Sequence, residues 1–160
     1  MFYLRLFDCL NRHDICYLVV GGLAVNLHGV ARLTLDVDIV VDAARDQSAT
    51  WEEICAELKL KPRHPISWRQ MYSWEDRRRL FREKGLLALN LISEKPEEPM
   101  VDILFDPPFD FAEAFARRVI QQVEGVSIPI AAKKDLVTMK KIAGRAKDLR
   151  DVSYLEGAAE

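Results

Sequence analysis

Residues 31–42 read ARLTLDVDIVVD. Leu35, Val37 and Ile39 alternate with Asp36 and Asp38, and a period of two marks a β-strand with one apolar and one polar face. A strand is expected over Leu35–Val41. Asp36 and Asp38 then leave the strand on the same side, close together. Two like charges at that spacing repel and need a counter-charge; where the acids form a site, a divalent cation is the common one. A half-exposed strand whose polar face happens to be acidic has the same pattern, so the neighbouring residues have to decide.

Upstream, Tyr17–Val20 is a short apolar run closed by Gly21-Gly22, a strand ending in a turn, and residues 23–28 suit a short helix that Gly29 can end. Two glycines there let backbone approach a ligand closely, and helix N-terminal amides suit a phosphate. Arg32 and Thr34, just before the acid pair, offer a cation and a hydroxyl to the same kind of ligand. Downstream, Val101–Phe105 is another apolar run carrying one carboxylate, Asp102, which needs a reason in a strand otherwise fit for the centre of a sheet.

The remaining pattern is mixed. Residues 2–12 and 47–60 read as helices, the second stopping before Pro62. Residues 62–84, with Trp68, Met71, Tyr72 and Trp74 beside Arg77, Arg78, Arg79 and Arg82, are expected to be irregular, with a helical turn around 74–81. Strands follow over 86–92 and 100–105, separated by the polar link 93–99, then a short helix over 111–116. A hairpin is expected over 119–123 and 126–130, turning at Glu124-Gly125, and helices over 132–144 and 146–156 end the chain. Strands interleaved with helices indicate one α/β (α+β) domain over residues 1–160 with a mixed sheet.

The 160 residues include 49% hydrophobic and 30% charged side chains, with 23 Lys plus Arg against 25 Asp plus Glu, a net charge of −2. That composition is globular, and the near balance excludes a strongly basic nucleic-acid binder while leaving room for a local basic patch. The N-terminal MFYLRLFDCLNRHD lacks the apolar core of a signal peptide, and no window reaches the roughly 18 apolar residues of a membrane span. Cys9, Cys16 and Cys55 have neither an even count nor metal-ligand spacing, so they read as buried free thiols in a reduced, cytoplasmic setting.

GGLAVNLHG, ARLTLDVDIVVD, VDILFD and DLVTMKKIAGRAKDLRDVSYL, in that order, resemble the nucleotidyltransferase superfamily with the DNA polymerase β-type palm. The likeness is to its bacterial AbiEii/AbiGii toxin-type branch and related minimal nucleotidyltransferases, and it runs from about Tyr17 to Leu155. It implies a nucleotidyltransferase-like mixed sheet flanked by helices, a palm-like core over 1–131 and C-terminal helices over 132–160. It further implies transfer of a nucleoside monophosphate from an NTP to a hydroxyl, on an RNA 3′ end or a protein, as a component of a toxin–antitoxin pair. Asp36, Asp38 and Asp102 would hold two Mg²⁺ ions (or Mn²⁺), one activating the acceptor hydroxyl and one neutralising the departing pyrophosphate, and Asp102 would draw the acceptor's proton. Gly21 and Gly22 would cradle phosphates, joined by Arg32, Thr34 and Lys140, with Lys141 the alternative lysine. Gly22 stands where many members carry Ser. An antitoxin or other neighbouring-gene product is the implied protein partner.

Arg145, Lys147, Asp148 and Asp151 follow the family's R-x-K-D-x-x-D pattern, where an acid is sometimes assigned catalytic help; a solvated helix face with local ion pairs is the plainer expectation. The arginines of 77–82 with Trp68 and Trp74 fit either a nucleic-acid patch or a solvated helix face over an aromatic staple. His13, His28 and His64 are scattered and read as structural or exposed. A nucleotide-binding or partner-binding module without turnover is the alternative function, favoured by the short C-terminal region.

Overall fold

The computed structural model describes residues 1–157, so the last three residues of the helical segment expected over 132–160 lie outside the described residues. Seven strands form one mixed sheet in the order β3-β4-β5-β2-β1-β7-β6. They are β1 (Tyr17–Val20), β2 (Val37–Val41), β3 (Leu60–Pro62), β4 (Leu89–Ser93), β5 (Val101–Leu104), β6 (Val119–Val123) and β7 (Val126–Ile130). The central strands are apolar because both faces are covered: every residue of β1 is buried, as are Val37, Ile39, Val40 and Val41 of β2. Helices α1 (Phe2–Arg12), α2 (Gly21–Leu27), α3 (Ser48–Leu58), α4 (Trp68–Tyr72), α5 (Trp74–Lys84), α6 (Phe111–Ala116), α7 (Lys133–Ala143) and α8 (Ala146–Leu155) surround it. None is long and apolar enough to cross a membrane.

Register fixes what matters for function. β1 runs antiparallel to β2 with Val20 opposite Asp38, β2 runs parallel to β5 with Asp38 opposite Asp102, and β4 runs antiparallel to β5 with Asn90 opposite Asp102. The glycine pair after Val20, the two acids and Asn90 therefore line up across four adjacent strands.

Three expectations need correcting. Leu35 does not share a buried face with Val37 and Ile39: it is 71% exposed, and β2 starts only at Val37, whose amide donates to Met100 O at 2.9 Å. Residues 31–36 stand outside the sheet as a loop.

The segment 62–84 is not irregular but largely two helices. Ser67 and Gln70 form a reciprocal capping box at the start of α4, and the Ser73 hydroxyl accepts from Asp76 N at 3.2 Å to start α5. Glu75 and Asp76 in the first turn and Arg82 and Lys84 in the last suit the helix dipole, and Gly85 ends α5 in the left-handed conformation. Arginine-rich composition hid these caps. Trp68 is a core residue stacked on Trp51 at 4.6 Å, whereas Trp74 is exposed.

Arg77 is not on a solvated face either. Its guanidinium donates to both carboxylate oxygens of Asp106 at 2.8 and 2.9 Å and to Met71 O at 2.8 Å, pinning α5 beside the end of β5. Cys9 and Cys55 are buried thiols as expected, and Cys16 is partly buried.

Candidate active site

Gly21 follows β1 directly, with φ at +64°, and a Cβ at that position would lie 2.0 Å from Asp38 Oδ2. A Cβ on Gly22 would lie 2.6 Å from Thr34 Oγ1. Both glycines are thus demanded locally: the backbone opening α2 presses against the acid of β2 and the hydroxyl of the 31–36 loop. Glycine here lets the backbone approach a carboxylate more closely than a simple turn needs.

Burial pushes the Asp38 carboxyl up to about 6, helped by Asp102 and Asp36 and opposed by Lys140 and Lys147. Burial also raises Asp102, with Asp36 adding to it, while Asn90 opposes the rise by donating from Nδ2 to Asp102 Oδ1 at 2.7 Å. Two carboxylates on neighbouring strands at one register, with a third two residues upstream, make a concentrated oxygen donor set. The three side chains do not close to the 4.8 Å mutual ligand spacing that another trio, Cys9, His13 and Glu57, reaches among the described residues. Asp102 is held on its Asn90 side through Oδ1. Their chemistry still fits Mg²⁺ or Mn²⁺: hard oxygen ligands, partly buried, with Lys140 already paired to Asp148 and Asp151.

The raised carboxyl has a stability consequence. An acid lifted to about 6 in the folded protein contributes its full share of stability below its ordinary carboxylate range and loses it as pH rises through about 6. Asp38→Asn removes that burden. It is expected to raise stability by about 1–3 kcal/mol at pH 7.5, with the gain disappearing near pH 4. Urea denaturation of both proteins across this range, followed by circular dichroism, checks it; a pH-independent difference would refute the argument.

The basic wall of the cleft is a buried network. Lys140, 7% exposed, places Nζ 3.3 Å from Asp148 Oδ1 and 2.9 Å from Asp151 Oδ2. Asp151 also takes a hydrogen bond from Arg32 Nη1, tying α8 to the 31–36 loop. Arg145 donates from Nε to Asp148 Oδ2 at 2.6 Å. Asp148 is 0% and Asp151 5% exposed, so the solvated helix face expected for them is wrong. Burial pushes Asp148 up, but Arg145 and Lys140 outweigh it and hold the carboxyl below its ordinary range. The missed signal was periodic: Asp148, Asp151, Val152 and Leu155 all occupy the buried face of α8. Lys141, the alternative to Lys140, instead pairs with Glu156 at 2.9 Å.

These pieces enclose a single cleft of about 580 Å³. It is lined by Gly21, Gly22, Arg32, Thr34, Asp36, Asp38, Asp102 and Lys140, together with Arg145, Lys147 and Asp148. Arg32 and Lys140 reach it with their charges already partnered by Asp151 and Asp148. Leu33, Leu35 and Leu87, all highly exposed, also line the cleft. The sequence pattern places Leu35 and Leu87 in strands and gives Leu33 no role.

No protein-family model matches the chain, and no curated protein matches it in sequence. Solved structures do match in shape. The lincosamide antibiotic adenylyltransferase LnuA, in its lincomycin-bound form, is 16% identical over 99% of this chain and 96% of its own, with a TM-score of 0.62. TM1012 from Thermotoga maritima, assigned as a nucleotidyltransferase, is 17% identical over 97% of this chain and 90% of its own, with a TM-score of 0.56. ANT(2″)-Ia in complex with adenylyl-2″-tobramycin is 12% identical over 96% of this chain and 84% of its own, with a TM-score of 0.57. At these identities the likeness is one of architecture: the chain has a nucleotidyltransferase-like fold.

Proposed function

We propose that this protein transfers a nucleoside monophosphate from an NTP to a hydroxyl acceptor. The observation that carries the reading is the register of β1, β2 and β5, which sets Asp38 beside Asp102 with the Gly21 backbone against them, in a cleft with a buried basic wall. A phosphoryl-transfer site needs those two halves, a carboxylate cluster at the reacting phosphate and fixed positive charge along the rest of the triphosphate.

In this reading Asp36, Asp38 and Asp102 would hold Mg²⁺ or Mn²⁺, which would supply charge neutralisation at the phosphates and a more acidic acceptor hydroxyl. Asp102, oriented by Asn90, accepts the proton of the acceptor. The Gly21 and Gly22 amides, Thr34 and the fixed charges of Arg32 and Lys140 receive the β- and γ-phosphates, preorganised because the network through Asp151 and Asp148 already holds them. The near-equal length of LnuA, itself an adenylyltransferase, supports turnover by so small a chain.

The test is release of pyrophosphate and transfer of label from each α-³²P-labelled NTP with Mg²⁺ or Mn²⁺, offered total RNA, lysate protein and hydroxyl-rich small molecules. Transfer by the wild type is the expected result; an Asp38→Ala protein that transfers at the wild-type rate would remove that residue from the site. If the acceptor is cellular RNA, the chain acts as a toxin in the cytoplasm, restrained by a neighbouring gene product. Growth arrest on expression, relieved by Asp38→Ala, is then expected.

A further inference from the structure

A second cluster lies away from the cleft, where α1 meets α3. Cys9 and His13 are four residues apart on α1 and its C-cap, and Glu53 and Glu57 are four residues apart on α3, so each pair projects from one face of its helix toward the other. Ligand atoms of Cys9, His13 and Glu57 all lie within 4.8 Å of one another. None of these residues lines the cleft.

We propose that Cys9, His13 and Glu57 form a metal site for a borderline divalent cation of the zinc type, linking α1 to α3. The donor set carries the choice of metal. One thiolate, one imidazole and one carboxylate are zinc ligands, with bonds of about 2.0–2.3 Å in a tetrahedral shell completed by water. The approach needed from the present spacing is small, and two of the three side chains can move: Glu57 is exposed and His13 half-buried, with His13 Nε2 already 3.2 Å from Glu57 Oε2. His13 Nδ1 faces Glu53 Oε2 at 3.9 Å, the outer carboxylate that commonly orients a ligating imidazole.

Charge also balances. Glu57 now takes hydrogen bonds from Arg12 and His13 and faces the Cys9 thiol. On binding, the thiol proton leaves to solvent. Thiolate and carboxylate then neutralise the two positive charges of the ion, and Arg12 leaves Glu57 but keeps Asp8, which it already reaches at 3.0 Å. The site needs no nucleotide and does not depend on the proposed transfer reaction.

The experiment is a Co²⁺ titration of the purified, chelator-stripped full-length protein, reading thiolate-to-cobalt charge-transfer absorption in the near ultraviolet. One equivalent is expected to produce the band, and Zn²⁺ to abolish it. Cys9→Ser should lose the band, while Glu57→Gln and His13→Ala should weaken binding about 10–100-fold. Asp38→Asn should leave the band intact, which separates this site from the carboxylates of the cleft. No band at millimolar Co²⁺, or a band that survives in Cys9→Ser, overturns the proposal. If Cys9→Ser fails to fold by circular dichroism, the His13→Ala and Glu57→Gln variants decide: wild-type affinity in both also overturns it.

Discussion

Asp148→Ala is expected to destabilise the protein by about 3–5 kcal/mol, the cost of leaving buried charge unpaired. Asp148 is wholly buried and accepts from both Lys140 and Arg145. Its removal leaves the Lys140 ammonium with Asp151 as its one carboxylate partner, and Arg32 competes for that same carboxylate. For a chain of this size the loss corresponds to a fall in Tm of roughly 10–15 °C. Urea melts followed by circular dichroism measure it as a lower midpoint at unchanged slope. The exposed pair Lys141–Glu156 is the internal control: Lys141→Ala is expected to change stability by less than about 1 kcal/mol. A loss below about 1 kcal/mol for Asp148→Ala would mean that water enters the network and screens it.

The second large effect is on activity. Given the proposed transfer reaction, Asp38→Ala is expected to lower the rate about 10³-fold, several kcal/mol of barrier, because Asp38 is the carboxylate that stands opposite Asp102 and against the Gly21 backbone. Asp38→Asn, expected to be more stable than the wild type near neutral pH, is the variant that separates loss of the carboxylate from unfolding: it is expected to lose activity while staying folded. Gly21→Ala probes the same geometry without removing a charge. Its Cβ would sit 2.0 Å from Asp38 Oδ2 on a backbone with φ at +64°, so the carboxylate or the β1–α2 junction must shift. A displacement near 1 Å at a reacting group can cost about 10²-fold, and that is the expected loss. Initial rates of pyrophosphate release, at saturating NTP, measure both variants; wild-type rates in Gly21→Ala would show that the close approach has no functional role.

Much of this was legible in the chain. The alternation of 35–41 led to β2, the glycine pair to the β1–α2 junction, and the lone acid of 101–105 to a central strand. Each depends on local periodicity or on a residue type that is costly anywhere else. The segment 62–84 was misread because its order comes from two serine caps and a bidentate Arg77–Asp106 contact 29 residues apart, which a run of arginines conceals. Cys9, His13 and Glu57 were missed for a similar reason: the i, i+4 spacing on α1 was visible, but its third member comes from another helix.

By itself, the sequence determined most of the elements outside residues 60–84 and which residues are chemically expensive: carboxylates on apolar strands, glycines at a strand end, a basic helix near the C-terminus. Local backbone preference and the alternation of side chains are short-range effects, so they can be read along the chain. Only the tertiary structure decided that Asp38 faces Asp102, that Gly21 abuts Asp38, and that Asp148 and Asp151 are the buried anchors of Arg32, Lys140 and Arg145 rather than a solvated face. Strand register and ion-pair partners are chosen by packing among segments distant in sequence, and burial alone turns a surface charge into one that must be paired.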